Sequence, residues 1–489
     1  MRVLLIMPVN CDVIHSVSLP LGILSIATYL KEAGVEVEIC DMAIKRVSLS
    51  KVLKRYQPDI VGLSFASTKS IDAMINVSRK LRKYNIPIVW GGPFCDLAAT
   101  EHHFGTGLVD IISYREGEET WLELVRTLEN GGNLESVKGI AFLKDGKIVK
   151  TEARPFMSSE KLPRIDYSFV EVRRYFQPLY GCKKLLYIYC SKGCPGQCTF
   201  CYNHMSHCHK RRRRPLSVFF EELEELVTVY GLDGFYLGDE IAFVSDRELE
   251  EFCDELDSLR LNVNFGFQTR IGALSREAIA RSYRSGCRWI DFGIESGSPE
   301  ILTKFQKNIP YDKIDYTFDA CCDAGIISIA NFIVGFPDET REQVQETIDL
   351  AKRIHSTQNT FGQYIPEPNT VDGMNPQRFK KKYATFSKLK DYKKNDLFNN
   401  PHNLSEVPKK ELNVIQSHFL WTAIFRKDYF ENRSYYLLIN SIKIFLQRLA
   451  TLNPYYAAKA VSEIVGDFVR FFIDEHFYPG IHKKYHLDR

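Results

Sequence analysis

The sequence predicts an α/β protein in three parts: a doubly wound parallel sheet, then a partial barrel of six parallel strands, then a mainly helical region. Short runs rich in β-branched residues alternate with helical segments over residues 1–130, and the same alternation restarts near residue 185. Parallel strands need a crossover between them, usually a helix, so this alternation is typical of parallel sheets. A chain of 489 residues also exceeds what one hydrophobic core usually serves, so several domains are expected.

The first domain is predicted over residues 1–130. Its strand-like runs are "RVLLIMP", "VEVEIC", "DIVGLSF", "IPIVWGG" and "VDIISY". Segments 21–34 and 70–84 place apolar residues at intervals of three and four, the period of an amphipathic helix. A doubly wound sheet binds its ligand at the carboxyl ends of its strands, so binding residues are expected just after these runs.

Residues 131–178 are predicted to be a linker with a hairpin, because Asp145-Gly146 between alternating segments is typical of a two-residue turn. Residues 179–370 are predicted to form the barrel, from the runs "LLYIYC", "GFYLGDE", "VNFGFQTR", "WIDFGIESG", "ISIANFIVGFP" and "FGQYIPEP". The reactive groups of such a barrel lie at the carboxyl ends of its strands. Residues 371–489 are predicted to form helices rich in Tyr and Phe.

Overall charge gives no case for a nucleic-acid or acidic partner, since the formal net charge is only +3. The basic run "HKRRRRPLSV" (209–218) is interpreted as a solvated or phosphate-facing loop, and no nucleic-acid partner is expected. No stretch reaches 18 consecutive apolar residues, so no membrane span is expected, while a peripheral membrane contact is left open.

Cysteine usage indicates a reducing compartment. The chain has 13 cysteines, an odd number, and "MRVLLIMPV" is interpreted as a first strand rather than a secretory leader. A cytoplasmic location is therefore expected, where clustered cysteines are more often metal ligands or redox groups than disulfides.

One cysteine cluster has the spacing of a metal site. Cys194, Cys198 and Cys201 form C-x3-C-x2-C directly after the first predicted barrel strand. An iron–sulfur cluster on three cysteines would leave one iron open to a substrate. A structural zinc site would need a fourth ligand. The residues available for it are Cys190, His204, His207 and Cys208.

The stretch "SKGCPGQCTFC", followed by "GFYLGDEIAF", "FGIESGS" and "FIVGFPDET" at predicted strand ends, resembles the radical S-adenosylmethionine (SAM) superfamily over about residues 180–370. The resemblance implies a partial (β/α)6 TIM barrel with a 4Fe-4S cluster on the three cysteines. SAM would bind the fourth iron, and an external electron donor such as a flavodoxin or ferredoxin would reduce the cluster. Reductive cleavage of SAM would give a 5′-deoxyadenosyl radical.

The same resemblance suggests the residues around SAM. Phe200 and Gly335 would lie near the adenine, and Asp239 or Glu240 near the amino group. Arg270 and Glu295 would lie near the carboxylate or ribose. The segment "YIPEPNT" departs from the family's Pro-Gly-Thr, because Asn369 precedes Thr370.

The first domain resembles the cobalamin-binding (Rossmann-like) domain that precedes the barrel in one branch of that superfamily. The segments that carry the resemblance are "SLPLGILSIATYLKEAG", "GLSFAST", "VWGGP" and "YREGEET". They suggest the cobalamin-binding residues Leu21, Gly22, Ser64, Ser67, Thr68, Gly91, Gly92, Glu116, Gly117 and Glu118. Two adjacent glycines at a strand end permit close approach of a large planar ligand.

The Asp-x-His-x-x-Gly motif of many cobalamin-binding domains is absent. Asp12 and His15 have two residues between them, and no glycine follows three residues after His15. We therefore expect cobalamin bound with its own base displaced and with no protein histidine on cobalt.

These patterns predict a cobalamin-dependent radical SAM enzyme that methylates an unactivated carbon or phosphorus of a small-molecule or natural-product substrate. One alternative is cyclisation or rearrangement without net methyl transfer. A second alternative is a non-catalytic cobalamin- or metal-binding regulator. The region 371–489 is expected to govern the substrate rather than radical generation, since the recognisable cofactor segments precede it.

Overall fold

The structure is a computed structural model. It describes residues 1–8, 18–42, 44, 48–64, 71–95, 103–203, 207–365, 370–375, 403–425 and 484–485. Within these ranges the chain forms a seven-stranded sheet, a six-stranded sheet and a small two-stranded ribbon.

The first sheet has the order β2-β1-β3-β4-β5-β6-β7, and its first five strands are parallel. Those five are β1 Arg2–Met7, β2 Glu36–Asp41, β3 Ile60–Ser64, β4 Ile88–Gly91 and β5 Ile111–Ser113. They coincide with the five predicted runs, and the doubly wound sheet is confirmed.

Helices cover both faces of this sheet. They are α1 Leu21–Glu32, α2 Leu49–Tyr56, α3 Ile71–Leu81 and α4 Glu118–Glu129. Leu4 and Ile6 of β1 belong to the core that contains α2 and α3, whereas Val3 and Leu5 belong to the core that contains α1 and α4. Alternate side chains of a strand point to opposite faces, so a sheet buried on both sides reads as a continuous apolar run.

The predicted hairpin is formed by β6 Ile140–Lys144 and β7 Lys147–Lys150. Asp145 and Gly146 both have positive φ, 52° and 72°, as a two-residue turn between twisted strands requires. The hairpin is not free-standing, because β6 pairs antiparallel with β5 at the edge of the first sheet. We therefore propose that the first domain extends to residue 150 and that the linker is shorter than 131–178.

The second sheet is the predicted partial barrel. Its six parallel strands are neighbours in sequence order: β8 Leu185–Ile188, β11 Gly234–Leu237, β12 Asn264–Thr269, β13 Cys287–Glu295, β14 Ile327–Val334 and β15 Gln358–Gln363. In the described part of the chain the end strands β8 and β15 do not pair, so the barrel is open on that side. Between β8 and β11 lies the ribbon of β9 Ser191–Lys192 and β10 Arg212–Arg213.

Helices follow the barrel strands. They are α5 Leu216–Thr228, α6 Asp246–Ser258, α7 Arg276–Arg284, α8 Pro299–Lys304, α9 Ile314–Ala324 and α10 Arg341–Arg353. Those other than the short α8 bury residues in the core on the barrel's outer face. Local sequence sets several of their starts. Ser245 and Ser275 cap α6 and α7 through their side chains, and Thr340 and Gln343 form a capping box on α10.

The concave side of the barrel carries polar groups. The Tyr236 hydroxyl on β11 donates to Asp291 on β13 at 2.7 Å, across the intervening strand β12. Between the two strands, β12 has Gly266 paired with both Tyr236 and Trp289, and the Trp289 ring occupies the space that a side chain at Gly266 would fill. At the strands' amino ends Tyr180 stacks on Trp289 with ring centroids 4.7 Å apart and closes the barrel there.

Described parts of the C-terminal region pack directly on the barrel. They include α11 Val371–Met374 and α12 Lys409–Phe425. Phe419 of α12 stacks on Phe361 of β15 at 4.1 Å, and Gln363 donates to α12. The apolar stripe "YYLLINSIKIFLQRL" (435–449) lies outside the described residues. Among the described residues, no helix has the length and apolar character needed to cross a membrane.

Gly266 offers a test of the barrel interior. A β-carbon added at Gly266 would lie 2.1 Å from the Trp289 ring nitrogen, whereas one added at Gly362 on β15 would meet nothing nearer than 3.8 Å. We expect Gly266→Ala to lower the free energy of unfolding by about 1–3 kcal/mol, the usual result of overpacking. Urea unfolding of Gly362→Ala is the matched control, and equal effects of the two substitutions would contradict this packing.

Candidate active site between the two sheets

A cavity of about 340 Å³ lies between the carboxyl ends of the first sheet's strands and the carboxyl ends of the first two barrel strands, β8 and β11. Its first-sheet wall contains all eight predicted cobalamin-binding residues that the structure describes: Leu21, Gly22, Ser64, Gly91, Gly92, Glu116, Gly117 and Glu118. The other two, Ser67 and Thr68, lie outside the described residues, as do Asp12 and His15. The structure thus brings four separate sequence segments to one cavity wall.

The opposite wall comes from the barrel side. It contains Tyr189, Ser191, Lys192, Tyr202, His207, Gly238 and Glu240. Sequence reasoning singled out only Glu240 and His207 among these, and His207 only as a zinc ligand. Tyr202 directly follows Cys201, so the cavity reaches the loop between β9 and β10 that carries Cys194, Cys198 and Cys201, called the cysteine loop below.

Local backbone conformation explains one glycine of the first wall. Gly92 follows β4 with φ of 103°, a conformation that side chains with a β-carbon rarely adopt. The preceding Gly91 keeps the strand end free of a side chain on the cavity side. A large planar ligand can therefore approach the backbone here.

The three cysteines share the loop that joins β9 to β10. All three are partly buried free thiols. Burial raises the pKa of Cys201 to about 11, so ionisation needs a bound cation or metal. Burial also raises the pKa of Cys198, while Lys307 and Arg270 act in the opposite direction. Three thiols on one loop with two cations nearby fit the donor chemistry of an iron–sulfur cluster.

The described residues contain no group of three or more His, Cys, Asp or Glu side chains gathered at metal-binding distance, so the thiols share a loop without being preassembled. Cys190, a candidate fourth ligand for zinc, is buried in the hydrophobic core. His207 lies 3.6 Å from Glu240. Another candidate ligand, His204, lies outside the described residues. The described part of the chain therefore offers no four-ligand zinc site.

The two adjacent acids after β11 have different environments. Both oxygens of Asp239 are engaged: one accepts from the Cys190 amide at 2.8 Å, the other from the Ser191 amide and hydroxyl at 2.5 Å each. Burial raises the pKa of Asp239 to about 7. Asp239 thus braces the end of β8, whereas Glu240 lies on the cavity wall and accepts from the Gly193 amide at 2.8 Å.

Arg270 and Glu295 meet through a residue that the sequence did not point to, Lys307. Its ammonium group lies 2.7 Å from Glu295, and its carbonyl accepts from Arg270 at 2.5 Å. Glu295 has φ of 74°, rare for a residue with a side chain and typical of functional sites. A β-carbon at Gly293 would lie 2.5 Å from the Glu295 carboxylate, so this glycine makes room for the pair.

Phe200, a residue of the cysteine loop, lies close to the turn at Gly335. Phe200 packs edge-on against Phe336, the residue after Gly335, at 5.7 Å. The Gly335 amide donates to Glu339 at 2.6 Å, and the Phe336 amide donates to the same oxygen at 3.1 Å. Glu339 is fully buried, and burial raises its pKa to about 8.

The C-terminal region also touches the cysteine loop. Asp372 of α11 is fully buried and accepts at 3.0 Å from the hydroxyl of Thr199, which lies between Cys198 and Cys201. Its own amide donates to the Thr199 carbonyl at 3.2 Å. Thr370, in the segment that departs from the family pattern, is buried, and Asn369 lies outside the described residues.

The arginines of the basic run are largely buried and paired, so the interpretation of the run as a solvated loop is wrong for them. Each of its four arginines forms an ion pair: Arg211 with Glu248, Arg212 with Glu116, Arg213 with Glu251 and Arg214 with Glu222. The carboxylates come from three separate segments, since Glu248 and Glu251 both lie on α6, and a local reading of charge cannot anticipate them. The Arg214–Glu222 pair is the most deeply buried, with 1% and 3% of the side chains exposed.

Comparison with known proteins agrees with this architecture. Residues 7–125 match the model of the B12 binding domain, and residues 188–351 match that of the radical SAM superfamily. The chain is 27% identical over 383 residues to an uncharacterized methyltransferase of Pyrococcus horikoshii, covering 76% of this chain and 82% of that protein. It is also 27% identical over 337 residues to the anaerobic magnesium-protoporphyrin IX monomethyl ester cyclase of Synechocystis, covering 66% of each chain.

Among solved structures, the chain is similar to the radical S-adenosylmethionine methyltransferase TsrM from Kitasatospora setae with cobalamin and a [4Fe-4S] cluster bound. The TM-score is 0.65 at 18% identity, and the match covers 77% of this chain and 75% of TsrM. Fold, site and comparisons together define a radical SAM enzyme. More particularly, the chain belongs to the radical SAM proteins that carry a B12-binding domain ahead of the radical SAM domain.

The cysteine loop gives a direct prediction. Replacing Cys194, Cys198 or Cys201 by Ala should abolish cluster binding, because each removes one of three ligands on a single loop. Iron and sulfide content after anaerobic reconstitution is the measurement. Cys208→Ala is the matched control, because Cys208 lies exposed on the same loop. Iron retained in the triple variant, or lost equally in Cys208→Ala, would contradict the assignment.

Glu339 gives a pH-dependent prediction. Its pKa in the folded protein, about 8, exceeds the ordinary value of 4.5, so between these values the folded protein holds a proton that the unfolded chain has lost. Stability from this residue is therefore present below the unfolded pKa and is lost as the pH rises toward 8. Glu339→Gln can accept the same amides and cannot titrate. In urea unfolding, the free energy of unfolding of Glu339→Gln should rise relative to that of the wild type between about pH 5 and about pH 8. A difference between the two proteins that does not change with pH would refute this.

Proposed function

We propose that the protein is a cobalamin-dependent radical SAM methyltransferase that acts on an unactivated carbon or phosphorus atom of a biosynthetic intermediate. The observation that carries this proposal is the shared cavity. The wall predicted to hold cobalamin and the wall that adjoins the cysteine loop belong to one space. Methyl transfer to a substrate radical needs both cofactors within reach of one substrate.

The chain's own residues fit the three cofactors. Cys194, Cys198 and Cys201 would hold a 4Fe-4S cluster, and the wall of Gly91 and Gly92 would hold cobalamin. When bound, the cluster with SAM supplies an organic radical, and cobalamin supplies a transferable methyl group.

Around SAM, the residues divide into polar and apolar groups. Glu240, on the cavity wall, offers a carboxylate to an amino group, while Asp239 is occupied by the backbone. The Lys307–Glu295 pair, bridged to Arg270, offers charges of both signs to a carboxylate or ribose. Phe200 offers a ring beside Phe336 and the turn at Gly335, whose β-carbon side is covered by Leu412.

The substrate would enter the concave side of the barrel. Along β13 and β14, residues on that side keep partial solvent access while their neighbours are buried, so a space remains inside. Asp291 and Tyr236 provide hydrogen-bonding groups at its base. These features favour a small organic substrate. Residues 426–483 of the C-terminal region lie outside the described residues.

A cyclisation or rearrangement is the second candidate, favoured by the similarity to the Synechocystis cyclase. It would use the same radical chemistry without net methyl transfer. A non-catalytic regulator would have no use for the Arg270, Lys307 and Glu295 cluster beside the cysteine loop. The electron is proposed to come from an external donor such as a flavodoxin or ferredoxin.

The test uses SAM with a deuterated methyl group and the reduced, cobalamin-loaded full chain, incubated with a small-molecule extract of cells that lack the gene. Mass spectrometry should find a product that carries the CD3 group, together with 5′-deoxyadenosine and S-adenosylhomocysteine. A product without label that has lost hydrogen would favour the cyclase. No SAM cleavage by cluster-loaded protein would refute both enzymatic proposals.

A further inference from the structure

Two carboxylates of the first domain face two cations at the base of the cysteine loop. Both terminal nitrogens of Arg212 donate to Glu116, at 2.9 and 2.7 Å. The ammonium group of Lys192 donates to Glu118 at 2.8 Å and lies 4.0 Å from Glu116. We call these four residues the interdomain clamp.

The two cations belong to the two strands of one ribbon. Arg212 of β10 and Lys192 of β9 are direct partners in the antiparallel pairing. The ribbon is the stem of the loop that carries the three cysteines. Both ends of that loop are therefore tied to the same segment of the first domain, where the turn after β5 carries Glu116 and the first residue of α4 is Glu118.

The clamp is largely withdrawn from solvent. Exposed fractions of the side chains are 4% for Glu118, 12% for Glu116, 11% for Arg212 and 19% for Lys192. Ion pairs at this depth are screened little by salt, unlike exposed pairs. Their geometry is specific as well, since a two-pronged arginine–carboxylate contact fixes orientation.

Further contacts complete the pairing of both carboxylates. Glu118 accepts from the Ser25 hydroxyl at 2.5 Å, and Glu116 accepts from the Met157 amide at 2.9 Å. Arg212 also donates to the Met157 carbonyl at 2.8 Å. Residue 157 belongs to the segment between the two sheets, so the clamp joins first domain, connecting segment and ribbon.

The clamp is also part of the cavity wall. Glu116, Glu118 and Lys192 all line the cavity. A shift of the ribbon against the first sheet would therefore change the shape of the cavity and the position of the cysteine loop together.

We propose that Glu116, Glu118, Lys192 and Arg212 are positioning residues that hold the cysteine loop at a fixed place against the cobalamin cavity. The two carboxylates, which the sequence assigned to cobalamin binding, serve this contact between domains. The inference rests on the proposed function only in taking the cavity as the cobalamin site. SAM cleavage, which needs the cluster but not cobalamin, should tolerate a loosened clamp. Methyl transfer, which needs the cluster and cobalamin together, should not.

The test compares Glu116→Gln, Arg212→Gln, their double variant and Arg212→Lys, with Arg213→Gln as the matched control. Arg213 lies next to Arg212 on the same ribbon, but its partner Glu251 is outside the first domain. Each protein is reconstituted as the full chain with cluster and cobalamin. Pulsed electron paramagnetic resonance then measures the dipolar coupling between the reduced cluster and cob(II)alamin.

Both single variants should retain iron and cobalamin but show a broadened distribution of the cluster–cobalt distance. Transfer of the CD3 label should fall about tenfold or more, while SAM cleavage falls much less. Arg212→Lys should be intermediate, the double variant no worse than the singles, and Arg213→Gln unchanged. Cobalamin loss confined to Glu116→Gln, with normal distances in Arg212→Gln, would instead make Glu116 a cobalamin ligand and overturn the proposal.

A second measurement keeps the inference separate from the proposed function. A double-mutant cycle on urea unfolding of cofactor-free protein gives the coupling between Glu116 and Arg212 directly. Additive effects of the two substitutions would overturn the clamp even if methyl transfer is confirmed. Strong coupling between Glu116 and Arg212, with a narrow distribution of the cluster–cobalt distance in the wild type, would support the clamp even if the product carries no label.

Discussion

Parallel sheets place all their carboxyl ends at one edge, and in this protein the edges of two such sheets face a single cavity. That constraint governs the rest of the site. Ligand-binding turns must follow the strands of both sheets, and charged groups that meet across the cavity must be paired, since a buried unpaired charge is costly. Lys192 and Arg212 opposite Glu118 and Glu116 satisfy that requirement at the junction.

The C-terminal region is more closely tied to the core than its sequence indicates. Thr199, inside the cysteine motif, is held by Asp372, and Leu412 of α12 lies beside Gly335. The Asp338 amide donates to the Leu404 carbonyl at 3.1 Å. Residues that follow the barrel in sequence thus support both the cysteine loop and the turn at Gly335, which is proposed to face the adenine of SAM. The expected division, with substrate control after residue 370 and cofactor binding before it, remains a prediction. These contacts show that residues after 370 also touch the segments predicted to bind cofactors.

Much of the fold could be predicted because its signals are local. Runs such as "RVLLIMP" are apolar on both faces because helices cover both sides of a parallel sheet, and Asp145-Gly146 marks a turn that other residue pairs rarely form. Gly91 and Gly92 of the cavity wall were also predictable, and Gly92 occupies a backbone conformation that favours glycine.

Other parts of the site depend on contacts that are distant in sequence. Asp239 and Glu240 are adjacent acids, and only the fold shows that the first is used by the end of β8 while the second faces the cavity. Lys307 belongs to no motif, and its role follows from Gly293 leaving room for its pair with Glu295. The four arginines of the basic run find partners on three separate segments, so their local charge density was misleading.

If one cavity joins the proposed cobalamin and cluster sites, both metals should be found at its two walls. Anomalous X-ray diffraction from one crystal of reconstituted protein, collected at the cobalt and iron absorption edges, locates them. Cobalt is expected in the cavity beside Gly91 and Gly92, and iron at Cys194, Cys198 and Cys201, with Tyr202 and Glu240 between the two peaks. A cobalt peak outside that cavity, or iron bound away from the three cysteines, would contradict this expectation.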